Sequence, residues 1–311
     1  MINDEKTNKV CVMLASYNGE KYIGEQIDSI LQQKDVDIKL VVRDDGSTDG
    51  TIEILEEYKN KYGIRIIYGN NMGPAANFYE LLNNAYESDY YAWSDQDDIW
   101  DSDKLITAIY KIKNAEKAVT IPILYYSASR TVDKEKKIIS NIGVENPSIN
   151  YGAALVRSKA QGSTFVFNNN LINIAKKYVP DFKKCHILHD AWLHKVCLAL
   201  GGTVIHDPVP HMSYRIHDNN VVARMPSHSF KDRILGFLLS NTENYCSKVA
   251  KELINGYKKD MTFENYYLTN NLAYYRENIM CKTKILFSKD YRIGVFKEDV
   301  KFKLSILLNK A

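Results

Sequence analysis

The sequence predicts an α/β protein built on a mainly parallel central sheet, with helices on both faces and a helical C-terminal extension. Three observations carry that expectation. Short apolar runs alternate with amphipathic stretches through the first hundred residues, the rhythm of βα units. Polar, acidic or Gly-containing turns follow those apolar runs. Beyond Ser229 the strand rhythm is lost and helical spacing takes over.

The elements follow in order. "VCVMLASYN" (10–18) is apolar until it meets Ser-Tyr-Asn-Gly, so it reads as a buried strand ending in a loop. "EKYIGEQIDSILQQ" (20–33) places Ile23, Ile27, Ile30 and Leu31 at helical spacing. A second strand over 38–42 runs into "RDDGSTDGT", and a helix follows from about Thr51, with Thr48 or Asp49 as its N-cap. "IRIIYG" (64–69) is a third strand, and Pro74 opens a third helix. "YYAW" (90–93) is a fourth strand, ending in the acidic "SDQDD". Further on, 123–133 and 163–168 read as strands around a polar segment. "HDAWLHKVCLALGG" (189–202) is a helix stopped by Gly201 and Gly202, and 203–207 is a strand.

Composition bounds the possibilities. A chain of 311 residues allows one large domain with an appendage, or two domains. A net charge of +3 is too small to argue for a nucleic-acid partner. Five scattered cysteines with no C-x-x-C pair suit a reducing compartment. The N-terminus has no signal-peptide core, and no apolar run approaches the ~18 residues of a spanning helix. The expected location is cytoplasmic, with room for peripheral contact on the inner face of the cell membrane.

Chemistry-bearing residues gather at the carboxyl ends of the predicted strands, where open α/β sheets bind ligands. Asp95, Asp97 and Asp98 would repel one another in a dry site, so they form either a solvated turn or a cation site. The pair Asp44 and Asp45 beside Gly46 is either an ordinary βα turn or an acceptor for a base or ribose; it lacks EF-hand spacing. His189 and Asp190 open a helix, where Asp190 is either a cap or a general base. In "YRIHDNN", His217 is either a surface residue or a metal ligand, with Arg215 or Asn219 facing phosphate. G-x-x-x-x-G-K-[ST], G-x-G-x-x-G and G-x-S-x-G are all absent, which weighs against P-loop, dehydrogenase and hydrolase readings.

Taken together, "ASYNGEKYIGEQIDSILQQ", "VVRDDGSTDGT", "NMGPAANF", "SDQDDIW", "GSTFVFN", "HDAWL" and "YRIHDNNVV" form an ordered series. It resembles the family 2 glycosyltransferases of GT-A fold, and within them the bacterial rhamnosyltransferase-like enzymes of polysaccharide synthesis. The match spans residues 9–222. It implies an inverting, metal-dependent transfer of a sugar from a nucleotide diphosphate (dTDP-L-rhamnose first, a UDP-hexose or UDP-N-acetylhexosamine otherwise) to a glycan or lipid-linked acceptor. By position, the resemblance puts Ala15, Ser16, Tyr17, Glu20, Asp44 or Asp45, and Asn77 around the nucleotide sugar. Asp95 and Asp97 match the Asp-x-Asp motif for Mg2+ or Mn2+, with His217 as a further ligand and Asp98 in support. Asp190 matches the catalytic base; Gly162, Ser163, His189 and Trp192 fall at the acceptor side or in support of it. Two departures stand: no apolar residue precedes the acidic motif, and Cys185 and His186 before the base have no reading.

The expected organisation is a catalytic domain over 1–228, its nucleotide-sugar half about 1–100 and its acceptor half about 101–228, then a helical region over 229–311. Segment 281–311 carries eight Lys or Arg against three Asp or Glu, interleaved with apolar residues. It either lies on an anionic membrane or packs on the catalytic domain. The rival functions are a non-catalytic nucleotide-sugar binding module, which needs no base, and a nucleotidyltransferase, which wants a basic Gly-rich phosphate loop that "ASYNGEKY" does not supply.

Overall fold

The computed structural model describes residues 7–116, 121–145, 150–216 and 244–311. The first half runs β1 (Asn8–Ser16), α1 (Ile23–Leu31), β2 (Val36–Asp44), α2 (Thr51–Tyr62), β3 (Arg65–Tyr68), α3 (Pro74–Asn84), β4 (Tyr90–Ser94), β5 (Ile99–Trp100) and α4 (Lys104–Ala115). Then come β6 (Ile123–Ser127), β7 (Ser129–Val132), β8 (Ile138–Ile142), α5 (Tyr151–Val156), β9 (Val166–Asn168), α6 (Asn169–Ala175), α7 (Phe182–Cys185), α8 (His189–Ala199), β10 (Thr203–Asp207) and β11 (Met212–Arg215). Helices Tyr245–Tyr257, Phe263–Tyr274, Ile279–Phe287 and Phe296–Leu307 complete the described chain.

The larger sheet has the order β10-β6-β9-β4-β1-β2-β3. β1 pairs in parallel with both β2 and β4, β2 with β3, and β6 with β10. Only β9 runs against its neighbours β4 and β6, so the sheet is mainly parallel, as expected. Val10, Val12 and Leu14 point into one apolar layer and Cys11 and Met13 into the other, which buries β1 on both faces. All five cysteines are free and buried.

A smaller sheet, β5-β11-β7-β8, forms beside the first. The run 123–133 therefore divides at Ala128: β6 joins the large sheet and β7 the small one. Stretch 163–168 divides too, into a 3-10 turn over Gly162–Thr164 and β9. "YGAALV", inside the segment read as polar and irregular, is the short helix α5, capped by the Asn150 side chain accepting from the Ala153 N–H at 2.7 Å. The start of α2 also differs. Gly50 occupies the cap position, and Asp49 accepts from the Thr51 N–H at 3.1 Å and the Thr51 hydroxyl at 2.5 Å.

The C-terminal helices pack onto the α/β body. Val249, Leu253, Leu272, Cys281, Ile285, Phe302 and Ile306 join the apolar cluster that also holds Trp93, Phe165 and Trp192. Of the two expectations for segment 281–311, packing is observed. No helix among the described residues is long and apolar enough to cross a membrane. The packing sets a test. Ile306→Ala, at a fully buried site, should lower unfolding stability by about 2–5 kcal/mol in chemical denaturation. Phe296→Ala, at a site 82% exposed, should change it by less than about 0.5 kcal/mol.

Candidate active site

β4, β1 and β2 are neighbours, so the loops leaving their carboxyl ends stand side by side. At the β2 end, Asp44 accepts hydrogen bonds from the Gly46 N–H (3.1 Å) and Ser47 N–H (2.8 Å) on one oxygen. The other oxygen accepts from the Ser16 (3.1 Å) and Ser47 (2.5 Å) hydroxyls. A carboxylate offers about four such sites, and all four are taken within the chain. Asp45 is equally engaged: Arg43 donates to it at 2.6 Å, and the N–H groups of Met72 and Gly73 donate at 3.0 and 2.9 Å. Both acids are buried and hold the rim loops in place. Gly46 adopts φ 84, which lets the turn fold back over Asp44.

Other predicted donor residues sit on the same rim. Tyr17 is exposed, and Gln96 binds both sides of its peptide, accepting from its N–H and donating to its carbonyl, each at 2.8 Å. Glu20 accepts from the Gly50 N–H at 2.9 Å, and the Asn18 side chain from the Thr48 N–H at 2.8 Å. Ala15 completes the end of β1. Asn77 lies beneath, its amide reaching toward the carbonyls of Ser16 (3.5 Å) and Arg43 (3.4 Å), its buried oxygen without a partner.

The acidic loop is fixed at both ends, by β4 in the large sheet and β5 in the small one. Gln26, fully buried, pins it from below. With its amide turned to satisfy its neighbours, Gln26 donates to the Asp98 carbonyl at 2.5 Å and accepts from the Ser94 hydroxyl (2.7 Å) and the Trp100 indole (3.1 Å). Arg215 pins it from the side, donating to the Asp97 carbonyl at 3.3 Å and to Glu25 at 2.8 Å. Burial and then the charges of Asp97 and Asp190 push the Asp95 carboxyl up to about 8. Asp98 is fully buried and also held far above the usual carboxylate range, by burial and then by Asp97 and Asp95. Lys104 is buried near it, with Nζ 3.6 Å from the Trp100 ring centroid. Burial lowers Lys104 to about 7, opposed by the attraction of Asp98. Asp98 and Lys104 act on each other through charge, Lys104 opposing the rise of Asp98 and Asp98 the fall of Lys104, and Ser163 lies within reach of the Asp98 carboxyl.

Opposite this loop stands Asp190, in the first turn of α8, with Leu188 at the cap position. Its Oδ2 accepts from the Gly162 N–H at 3.2 Å and its Oδ1 from the Ala191 N–H at 2.6 Å. A Cβ on Gly162 would lie 2.9 Å from the Asp190 Cβ and 3.0 Å from His189 Nε2, so only glycine lets the two backbones approach this closely. His189 is wedged 4.0 Å from the Phe78 ring and 5.0 Å from that of Trp93, and burial lowers it to about 4, which keeps it neutral. Ser163 is buried beside Gly162. Trp93, just before the acidic loop, meets His189, just before Asp190, at 5.0 Å, and Asp95 feels the charges of both Asp97 and Asp190, so the acidic loop and the predicted base are near neighbours.

Comparison with known proteins decides what that site belongs to. The sequence profile of Glycosyl transferase family 2 matches residues 11–172. The chain belongs to glycosyltransferase family 2. This is an inverting family, and its enzymes draw on nucleotide-sugar donors. The dTDP-rhamnosyl transferase RfbG of Shigella flexneri is 34% identical over 72% of this chain and 78% of its own length. An Escherichia coli UDP-Glc:alpha-D-GlcNAc-diphosphoundecaprenol beta-1,3-glucosyltransferase, WfaP, is 26% identical over 72% of this chain and 82% of its own. The structure of S. aureus TarS 1–349 in complex with UDP-GlcNAc superposes with TM-score 0.59 at 16% identity, over 97% of this chain and 82% of that one. The shared architecture is the GT-A fold.

Three expectations for this glycosyltransferase change. Trp192, expected at the acceptor side or in support of it, is left with support: it is fully buried, between Tyr178 (6.4 Å) and Tyr257 (6.2 Å), and is a core residue. Arg215 does not project toward phosphate; its guanidinium binds Glu25 and the Asp97 carbonyl and lies 4.8 Å from the Tyr22 ring. Asp190 does not occupy the cap position of α8. His217 and Asn219 lie outside the described residues. A separate group, Asp101, Asp103 and His211, brings its ligand atoms within 4.8 Å of one another. It is already a charge network, with Arg130 on Asp101 at 2.5 Å and Lys111 at 2.7 Å from the Asp207 carboxylate that faces His211 at 3.4 Å. Sequence reasoning missed Gln26, Gln96 and Lys104 altogether, because their partners lie far away along the chain.

The tight Gly162 contact yields a direct test. Gly162→Ala should leave the fold intact but push Asp190 aside, lowering kcat by about 100-fold in initial-rate assays with donor KM little changed.

Proposed function

We propose that this enzyme transfers L-rhamnose from a dTDP-linked donor to a hydroxyl of a glycan or lipid-linked saccharide during assembly of a bacterial surface polysaccharide. The convergence of Asp95, Asp97 and Asp190 on one site carries the reading. The name of the Shigella flexneri relative supports the donor, and that of the E. coli relative an acceptor borne on a lipid diphosphate. A second reading, transfer from a UDP-hexose or UDP-N-acetylhexosamine, draws on the UDP-glucose in the E. coli name and the UDP-GlcNAc bound in the TarS structure. We divide the chain accordingly. Residues 1–228 bind donor and acceptor in successive halves, and the helical region beyond supports the acceptor side.

The donor set at the acidic loop is all oxygen, and burial with mutual repulsion makes its carboxyls costly to ionise together, a cost that a hard divalent cation would offset. Asp97 and Asp95 would hold Mg2+ or Mn2+, with His217 as the residue the family pattern adds. When bound, such an ion neutralises charge growing on the leaving diphosphate. The chain's own part is positional. The Gly162 and Ala191 N–H groups fix the Asp190 carboxylate, which takes the acceptor's hydroxyl proton as that oxygen attacks the anomeric carbon. The bond to the nucleoside diphosphate breaks on the opposite side. One base and no covalent intermediate give inversion.

We also assign the outer face of the C-terminal helices to an anionic membrane. Phe296, Val300, Leu304, Leu307 and Leu308 lie exposed along the last helix, opposite buried Phe302 and Ile306. Ile279, Met280 and Phe287 lie exposed on the helix before it, opposite Cys281 and Ile285. The cationic excess of this segment supplies the charge complement to acidic lipid.

Asp190→Asn should keep donor affinity in calorimetry while transfer falls by about 10²–10⁴-fold; a normal rate would refute the assigned base. Asp97→Asn should instead weaken metal-dependent donor binding. Phe287→Glu with Phe296→Glu should abolish flotation with phosphatidylglycerol vesicles, and unchanged flotation would remove the membrane assignment.

A further inference from the structure

A cavity of about 600 Å³ opens between the C-terminal helices and the part of the catalytic body that carries the base. Its wall takes in Cys185 and His186, the pair before Asp190 that had no reading in the sequence. His186 has φ 52 and ends α7, and this left-handed turn directs the chain from the cavity wall toward α8. Arg157 comes from the end of α5, Lys248 from the first C-terminal helix, and Lys301 and Lys310 from the last helix and the chain beyond it. Glu298 is the one carboxylate side chain in the wall, and it pairs with Arg157. Among the described residues the wall sets four cationic side chains against one acidic one, a positive surplus in a chamber open to water and backed by Phe302 and Val156.

The chamber adjoins the acceptor side of the site. Its wall holds Cys185 and His186, at the end of α7 and directly before the α8 start that carries Asp190, and Tyr245 in the same wall feels the Asp190 charge. None of the rim residues on the loops after β1, β2 and β4 lines the chamber among the described residues, so it is a separate surface from the nucleotide rim. Lysine and arginine clustered at one chamber suit phosphate oxygens. We propose that this chamber receives a phosphate or diphosphate group at the far end of the acceptor saccharide, fixing the acceptor while its hydroxyl reaches Asp190. This deepens, and rests on, the acceptor class proposed above. It gives His186 and the basic tail residues a shared role that a merely solvated surface would not need.

The full chain tests this with inorganic pyrophosphate in EDTA. Calorimetry should show binding that falls at least tenfold in the Lys248→Glu, Lys301→Glu double variant, survives in the Lys248→Arg, Lys301→Arg variant, and persists in Asp97→Asn. Unchanged binding in the Glu variant, or its loss in Asp97→Asn, would overturn the proposal, the latter by returning the anion to the donor site. In turnover, the Glu variant should raise acceptor KM at least tenfold without moving donor KM. That rise should appear with a lipid diphosphate-linked acceptor and with a soluble saccharide phosphate alike. A rise confined to the lipid-linked acceptor would place recognition on the lipid and refute the phosphate role. Should the wild-type enzyme turn over neither acceptor, the acceptor reading fails, and the pyrophosphate measurements still decide on the chamber.

Discussion

Mutual repulsion among carboxylates is the constraint around which this enzyme is built. Asp95, Asp97, Asp98 and Asp190 bear on one another's charge, and burial adds to the cost of ionising Asp95 and Asp98. Left to itself such a cluster would spread apart or take up protons. The fold prevents the first by clamping the loop from all sides: β4 and β5 at its ends, Gln26 beneath, Arg215 beside, and Gln96 tying it to the Tyr17 loop. Lys104, held against Trp100, supplies a buried positive charge near Asp98. What remains is a rigid cluster of carboxyl oxygens near Asp190, held partly by protons and able to ionise fully only against added positive charge.

The base side depends on sterics more than on charge. Gly162 and Asp190 approach within a distance that excludes a Cβ, and the Gly162 N–H then orients one carboxylate oxygen. His189 fills the space behind as a neutral aromatic surface against Phe78 and Trp93. Because Trp93 precedes the acidic loop by one residue's turn of strand and His189 precedes the base, their edge-on contact joins the two halves of the site through the core. Repacking there would alter the separation between donor and acceptor groups together.

Legibility in the sequence followed the range of the interactions. Runs such as "VCVMLA" and "YYAW" announce strands because their burial on both faces is written in consecutive residues. The break at Ala128 is not so written: "ILYYSASRTV" is continuously strand-like, and only the competing pairings with β10 and β11 divide it. α4 is left unassigned by the sequence reading although Leu105, Ala108, Ile109 and Ile112 fall at helical spacing. In the site, residue types with few alternatives were legible: clustered Asp at a strand end, Asp190 at a helix start. Trp192 was open between acceptor contact and support because burial of a tryptophan on α8 is decided by distant partners, Tyr178 and Tyr257. Gln26, Gln96 and Lys104 were silent because each acts across distant segments, Gln96 on Tyr17 and Gln26 on Trp100.

The reversed strand β9 has a consequence of its own. Inserted between β4 and β6, it carries the turn holding Gly162 at one end and leads at the other into α6, α7 and then α8. The proposed acceptor side, Gly162 and Asp190, thus hangs from one late excursion of the chain, whereas the loops after β1, β2 and β4 are laid down by Asp98. A lineage of such enzymes is free to exchange its recipients by rewriting the excursion and the helices that lean on it. The machinery that activates the sugar can meanwhile be inherited unaltered.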